Sequence, residues 1–218
     1  MTLKILIQVF LFGIALSADA FAVAVTDGLV YTDINKKKSF FIAGMFGFFQ
    51  ALMPLIGFFI IEAFIYFVGK QESDKATAIL NTIVTFVSFG LLVFIGLKMI
   101  LETIKELKKP VEERQERKFS FKEVFVMAIA TAIDALAVGF AFHEQDASGV
   151  SFSTTSTIFL HVSIIMIITF IISLIGLFLG KGILKLFKGH PEVTEIIGGS
   201  ILVLLGIWIV LSHYFDIL

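Results

Sequence analysis

Asp19 lies in the segment Ala15-Leu-Ser-Ala-Asp19-Ala-Phe-Ala-Val23, and Asp134 lies in Ala130-Thr-Ala-Ile-Asp134-Ala-Leu-Ala-Val138. Both are well inside apolar stretches. An ionised carboxylate at bilayer depth costs several kcal/mol, so such a residue is a functional candidate by default. Small residues surround each one, Ala15, Ala18, Ala20 and Ala22 in the first case, Ala130, Ala132, Ala135, Ala137 and Gly139 in the second. Small neighbours let helices approach closely and can bring the two carboxylates together. Two adjacent buried carboxylates repel, so an empty pair retains at least one proton, whereas a divalent cation neutralises both. Exchange of protons for metal on one pair is the minimum chemistry of an antiporter. The plainer alternative is that both aspartates cap kinks in their helices.

The elements that position them follow from composition. Of 218 residues, 58% are hydrophobic and 16% charged, and the mean hydropathy is +1.00, which is too apolar for a soluble domain. Six stretches are long enough to cross a bilayer: Leu6 to Val25, Phe40 to Val68, Ala76 to Leu101, Val124 to Phe142, Ile158 to Gly180 and Val193 to Tyr214. The second contains Gly44, Gly47, Pro54 and Gly57, so a kink or unwinding is expected there. The start could be read as a secretory signal ending at Ala18-Asp19-Ala20, but the apolar pattern continues to Val25 and recurs mid-chain. Lysine and arginine concentrate in the first, third and fifth connections, leaving only Lys4, Lys70 and Lys75 on the other side. Those three connections are therefore expected in the cytoplasm, with both termini outside.

The aspartate segments belong to a longer self-similarity. Pro54-Leu-Ile-Gly57-Phe-Phe59 parallels Ser173-Leu-Ile-Gly176-Leu-Phe178, and Leu92-Val-Phe-Ile-Gly96 parallels Leu202-Val-Leu-Leu-Gly206. A three-span unit crosses an odd number of times, so its copy enters from the opposite side. The expected fold is an all-α polytopic membrane protein with six transmembrane helices in two inverted three-helix repeats. Residues 1–104 and 123–218 form the repeats, and residues 105–122 form a charged cytoplasmic connection. Transporters built this way bind substrate near the midplane, where the halves meet.

The same repeat places Gln50 opposite Thr169 and Thr85 opposite Glu195, all able to offer oxygen. Pro54 cannot donate to the Gln50 carbonyl, which frees that oxygen to line a cavity. Without any cysteine, an oxygen-rich site favours magnesium, calcium or manganese over copper or zinc. The candidate metal ligands are thus Asp19, Asp134, Gln50, Glu195, Thr85 and Thr169. His161 is expected to be packed or bonded within the fifth span, with His143, His190 and His213 near interfaces. Glu62 reads as a charge at a span end, Asp27 as an interfacial charge with a cytoplasmic entrance as the alternative, and Lys98 as a snorkelling lysine with pairing to Glu102 four residues on as the alternative.

Ser17-Ala-Asp19-Ala-Phe-Ala, Phe46-Gly47 through Pro54-Leu-Ile-Gly57, Ala130 through Gly139, and Glu195-Ile-Ile-Gly-Gly199 with the later Gly206 resemble the MntP-type manganese efflux pumps, within the lysine-exporter superfamily. The resemblance covers essentially the whole chain. It implies a bacterial inner-membrane exporter that relieves manganese excess, with Asp19 and Asp134 as the intramembrane aspartates. It also implies a glutamate where Gln50 stands and an arginine where Lys98 stands. Manganese would be cargo and no resident cofactor is expected; membrane lipid is the other expected partner, and nucleic acid is not one. Export of another divalent cation or a small cationic metabolite is the alternative within transport. An intramembrane aspartyl protease is a remote one, since neither a Gly-x-Gly-Asp nor a Tyr-Asp context is present.

Overall fold

The computed structural model describes residues 3–68, 70–109, 117–133, 135–141, 155–186 and 191–215. Every regular element among them is an α-helix: α1 (Leu3–Leu16), α2 (Ala18–Val30), α3 (Lys36–Val68), α4 (Lys70–Leu107), α5 (Phe121–Ala132), α6 (Ala135–Ala141), α7 (Thr155–Leu186) and α8 (Pro191–Phe215). A bilayer favours helices because each satisfies its own backbone polar groups. Lys36–Ala63, Ile79–Leu107, Ile158–Leu186 and Glu192–Leu211 are long and apolar enough to cross, and Val9–Leu16 with Ala18–Val30, bent by 40°, is long and apolar enough only when the two are taken together. The chain is a multi-pass membrane protein. Its outer surface is accordingly apolar, with side chains such as Phe59, Phe94, Ile167 and Leu204 exposed.

The sequence points to a break in the second span, but α3 runs helical through Pro54. The breaks fall instead at Ser17 and between Ala132 and Ala135, inside the first and fourth expected spans. Gly47 and Gly57 of α3 serve close approach rather than bending. A Cβ on Gly47 would lie 2.8 Å from the Met166 carbonyl oxygen, and Gly57 presses on the Leu136 carbonyl.

Six helix ends gather at one end of the bundle. The Tyr31 hydroxyl, just past α2, donates to Glu123 at the start of α5 (3.0 Å). Thr103 late in α4 donates to Glu195 early in α8 (2.8 Å), and Lys181 late in α7 donates to the Ile34 carbonyl just before α3 (2.6 Å). Hence α2, α4 and α7 run toward this end, and α3, α5 and α8 run away from it. Lys36, Lys98, Arg117, Lys122 and Lys185 belong to the same end, which is called the basic end below.

Glycine contacts recur between the two halves of the chain. Gly96 packs on the Gly199 carbonyl, Leu202 and Val203, while Gly206 packs on the Phe89 carbonyl, Leu92 and Val93. Gly57 meets the Leu136 carbonyl and Gly139, while Gly176 meets the Phe21 carbonyl and Ala24. Both pairs of contacts are interchanged by the alignment of Leu92–Gly96 with Leu202–Gly206 and of Asp19 with Asp134. One packing relation departs from this correspondence: α8 lies along α2 and α4 along α5, whereas α1 barely touches α8. These additional contacts lie toward the basic end.

Candidate metal centre

The two helix breaks determine what lies in the interior. At the first, Ser17 is fully buried, and its hydroxyl turns back to the Ile14 carbonyl (2.9 Å). Asp19 then falls in the first turn of α2, where the positive end of the helix dipole favours an anion. It is partly buried and has a partner of its own. At the second break the sequence puts Asp134 between Ile133 and Ala135, and Asp134 itself lies outside the described residues.

A broken helix leaves end carbonyls without intrahelical partners. Gln50 of α3 donates its side-chain nitrogen to the Leu16 carbonyl at the end of α1 (2.8 Å). Ser88 of α4 donates to the Ala130 carbonyl near the end of α5 (2.8 Å). Each break is thus held by a polar side chain from another helix. With its nitrogen committed, Gln50 keeps its Oε1 buried and, among the described residues, without a hydrogen-bond partner; the Thr169 and Ser173 hydroxyls of α7 are in the same condition.

Helix contacts place these oxygens at one level. Going along α7, Ile165 and Ile168 meet Gly13 of α1, while Gly176 meets Phe21 and Ala24 of α2. Thr169 and Ser173 fall between those contacts, at the height of the Ser17 break. The other flank of α7 meets α3, where Met166 and Phe170 pack on Gly47, one turn from Gln50. The second break adjoins the same region. Pro54, one turn beyond Gln50, meets Gly139 of α6, and Leu16 and Val138 pack against one small cluster containing Ala51, Phe58 and Ile165.

Of the residues proposed from sequence, Gln50 bonds to the first break, Asp19 begins α2 just past it, and Thr169 lies at the same height on α7 by the helix contacts around it. Thr85 bonds within α4 to the Asn81 carbonyl (2.9 Å) and lies one turn from Ser88, beside the second break. Glu195 stands apart at the basic end, bonded to Thr103, about five turns of α4 from Thr85 and so roughly 27 Å away. His161 is fully buried and has a partner. Lys98 does pair with Glu102 (3.7 Å) and also with Glu123 (3.3 Å). Among the described residues no three histidines or acidic groups cluster as a metal site, so oxygen ligands there would include amide, hydroxyl and carbonyl groups. Sequence reasoning overlooked Ser173, although the repeat aligns it with Pro54, a position where the first half has a proline and the second a hydroxyl.

Residues 33–210 match the family described as "Putative manganese efflux pump". A Clostridium perfringens (strain 13) protein named for manganese efflux by MntP is 37% identical over 226 residues, covering 95% of this chain and 95% of its own. One from Methanobrevibacter smithii is 35% identical, covering 95% and 98%, and one from Methanosphaera stadtmanae is 37% identical, covering 95% and 99%. The chain belongs to the MntP family. No solved structure matches it. The Gln50 bond gives a direct test of the first break. Gln50→Leu keeps the volume but leaves the buried Leu16 carbonyl unsatisfied, and thermal denaturation in detergent should show a loss of about 1–3 kcal/mol.

Proposed function

We propose that this protein exports divalent manganese across the bacterial cytoplasmic membrane by alternating access, driven by proton influx. The observation that carries the reading is the pair of aspartate segments, each at a helix break, joined to a family of manganese exporters over 95% of the chain. In this reading six spans form two inverted three-helix repeats. It is supported by the opposite directions of the helices in the two halves and by the interchange of the Gly96 and Gly206 contacts. The basic end is cytoplasmic, by the excess of lysine and arginine there, with both termini outside.

Asp19, Asp134, Gln50 and Thr169 hold the cation where the breaks converge. Thr85 serves the second break, and Glu195 serves the cytoplasmic approach. The unequal packing of α8 on α2 and α4 on α5 supports a state closed to the cytoplasm and open outward. Rocking the halves would make the mirror-related contacts instead, carrying the site from one face to the other. Moving a doubly charged ion out against an inside-negative potential costs roughly 4.6 kcal/mol per 100 mV. Export therefore requires a driving ion, and protons exchange naturally with metal on carboxylates.

The test is manganese flux in vesicles holding the purified chain. A proton gradient directed from the outer to the cytoplasmic face should drive manganese the opposite way, and a protonophore should stop it. Magnesium, calcium and cationic amino acids should compete weakly. Flux of one of these in preference to manganese, or no flux under any gradient, would overturn the reading.

A further inference from the structure

Asp27 is an acidic side chain that the central site leaves unused. The sequence suggests an interfacial charge, yet it is 1% exposed, and its Oδ2 has no hydrogen-bond partner among the described residues. It lies in the last turn of α2, where the helix dipole disfavours an anion. A carboxylate buried at such a point is costly unless paired. No cation is bonded to its Oδ2 among the described residues.

The groups gathered at this end of α2 show where one would sit. Glu123 and Arg117 are the charged groups that act on Asp27. Tyr31, one turn beyond Asp27, donates to Glu123 Oε2 at 3.0 Å. Burial, followed by the charges of Asp27 and Glu123, pushes the Tyr31 hydroxyl far above its ordinary range, so it remains a donor. Glu123 Oε1 is taken by Arg117 at 2.8 Å and by Lys98 at 3.3 Å. Arg117 also holds Glu102 at 3.2 Å. Above them lies a cleft of about 450 Å³ lined by four glutamates, Glu123 among them, and by Arg117 with three lysines. Helical spacing carries the stripe inward: Tyr31, Asp27, Val23 and Ala20 follow one face of α2, and Glu123, Met127 and Ala130 follow one face of α5.

We propose that Asp27 and Glu123 form a second, cytoplasmic seat for the divalent cation, which Arg117 keeps shut by occupying Glu123 when that side is closed. The seat rests on the export reading above and lies ahead of the central site on the outward path. A divalent cation bridging the two carboxylates displaces Arg117, which remains paired because Glu102 already holds it. The exchange thus loosens the bond between the α4–α5 connection and α5 at the moment the cargo arrives. The guanidinium is a tethered stand-in for the cargo, returning once the cation has moved inward.

The test uses the full chain in vesicles with its cytoplasmic face outward, and counts bound manganese by electron paramagnetic resonance. Asp27→Asn and Glu123→Gln should each raise half-saturating manganese by about tenfold or more, as expected for loss of a charged ligand, while flux at saturation persists. Each variant should bind one manganese fewer per chain than the unaltered protein. Asp19→Asn should lose flux by roughly a hundredfold or more at every concentration. A merely structural role for Asp27 would lower thermal stability and saturating flux but leave half-saturation and the count unchanged. Wild-type half-saturation and count in Asp27→Asn, or in Glu123→Gln if Asp27→Asn does not fold, overturn the seat. Wild-type flux in Asp19→Asn overturns the export reading instead.

Discussion

A bacterial strain without its own manganese exporter should stay manganese-sensitive when it carries Asp19→Asn or Asp134→Asn, whereas the unaltered chain should restore growth and lower cellular manganese. Asparagine keeps the size of aspartate and removes its charge. With one carboxylate gone, a divalent ion in the dry interior keeps an uncompensated charge, a penalty of several kcal/mol. At about 1.4 kcal/mol per factor of ten, flux should fall by roughly a hundredfold or more. The substitution also separates function from scaffolding. Asp19 lies in the first turn of α2, and asparagine caps helices about as well as aspartate. If the aspartates only shape the bends, both variants should rescue the strain fully. Elemental analysis of washed cells, alongside membrane levels of each variant, decides between the two, and full rescue would remove the proposed site.

The sequence reveals the paired segments well because a carboxylate inside an apolar run is rare and its recurrence is rarer. It does not reveal the breaks. The apolar pattern runs unbroken through Ser17, and the interruption is held by Gln50 from another helix, a tertiary bond with no local signal. Pro54 and the α3 glycines look like the place for a break, yet one lost hydrogen bond is tolerated where neighbouring backbones grip the helix on both flanks. The repeat also misleads in one respect. Of the residues it aligns, Gln50 and Thr169 lie at one level by their helix contacts. Glu195 has its counterpart in Thr85, but the two lie far apart along α4. Asp27 reads as interfacial because it precedes a polar loop, and burial comes only from α5, α7 and α8 closing over the end of α2.

Gly57→Val and Gly139→Val are expected to prevent stable folding. The two residues face each other where α3 crosses α6, and a Cβ on either would overlap a backbone carbonyl, that of Leu136 or that of Pro54. A backbone cannot rotate away as a side chain can, so the helices must separate. Overpacking at yielding sites costs about 1–3 kcal/mol, and this crossing should exceed that range. The related crossing of α7 with α2, at Gly176 against the Phe21 carbonyl at 2.8 Å, should suffer less because the first overlap is milder. Gly44 and Gly90 are the controls, since a Cβ on either meets nothing within 4 Å. Alanine there should be neutral or stabilise the helix by about 0.5–1 kcal/mol. Yield and melting of detergent-purified variants should therefore separate the pairs sharply. Equal tolerance of valine at Gly57 and alanine at Gly44 would mean that α3 and α6 do not cross here. The central site depends on this crossing, because it brings the second break against the helix that holds the first.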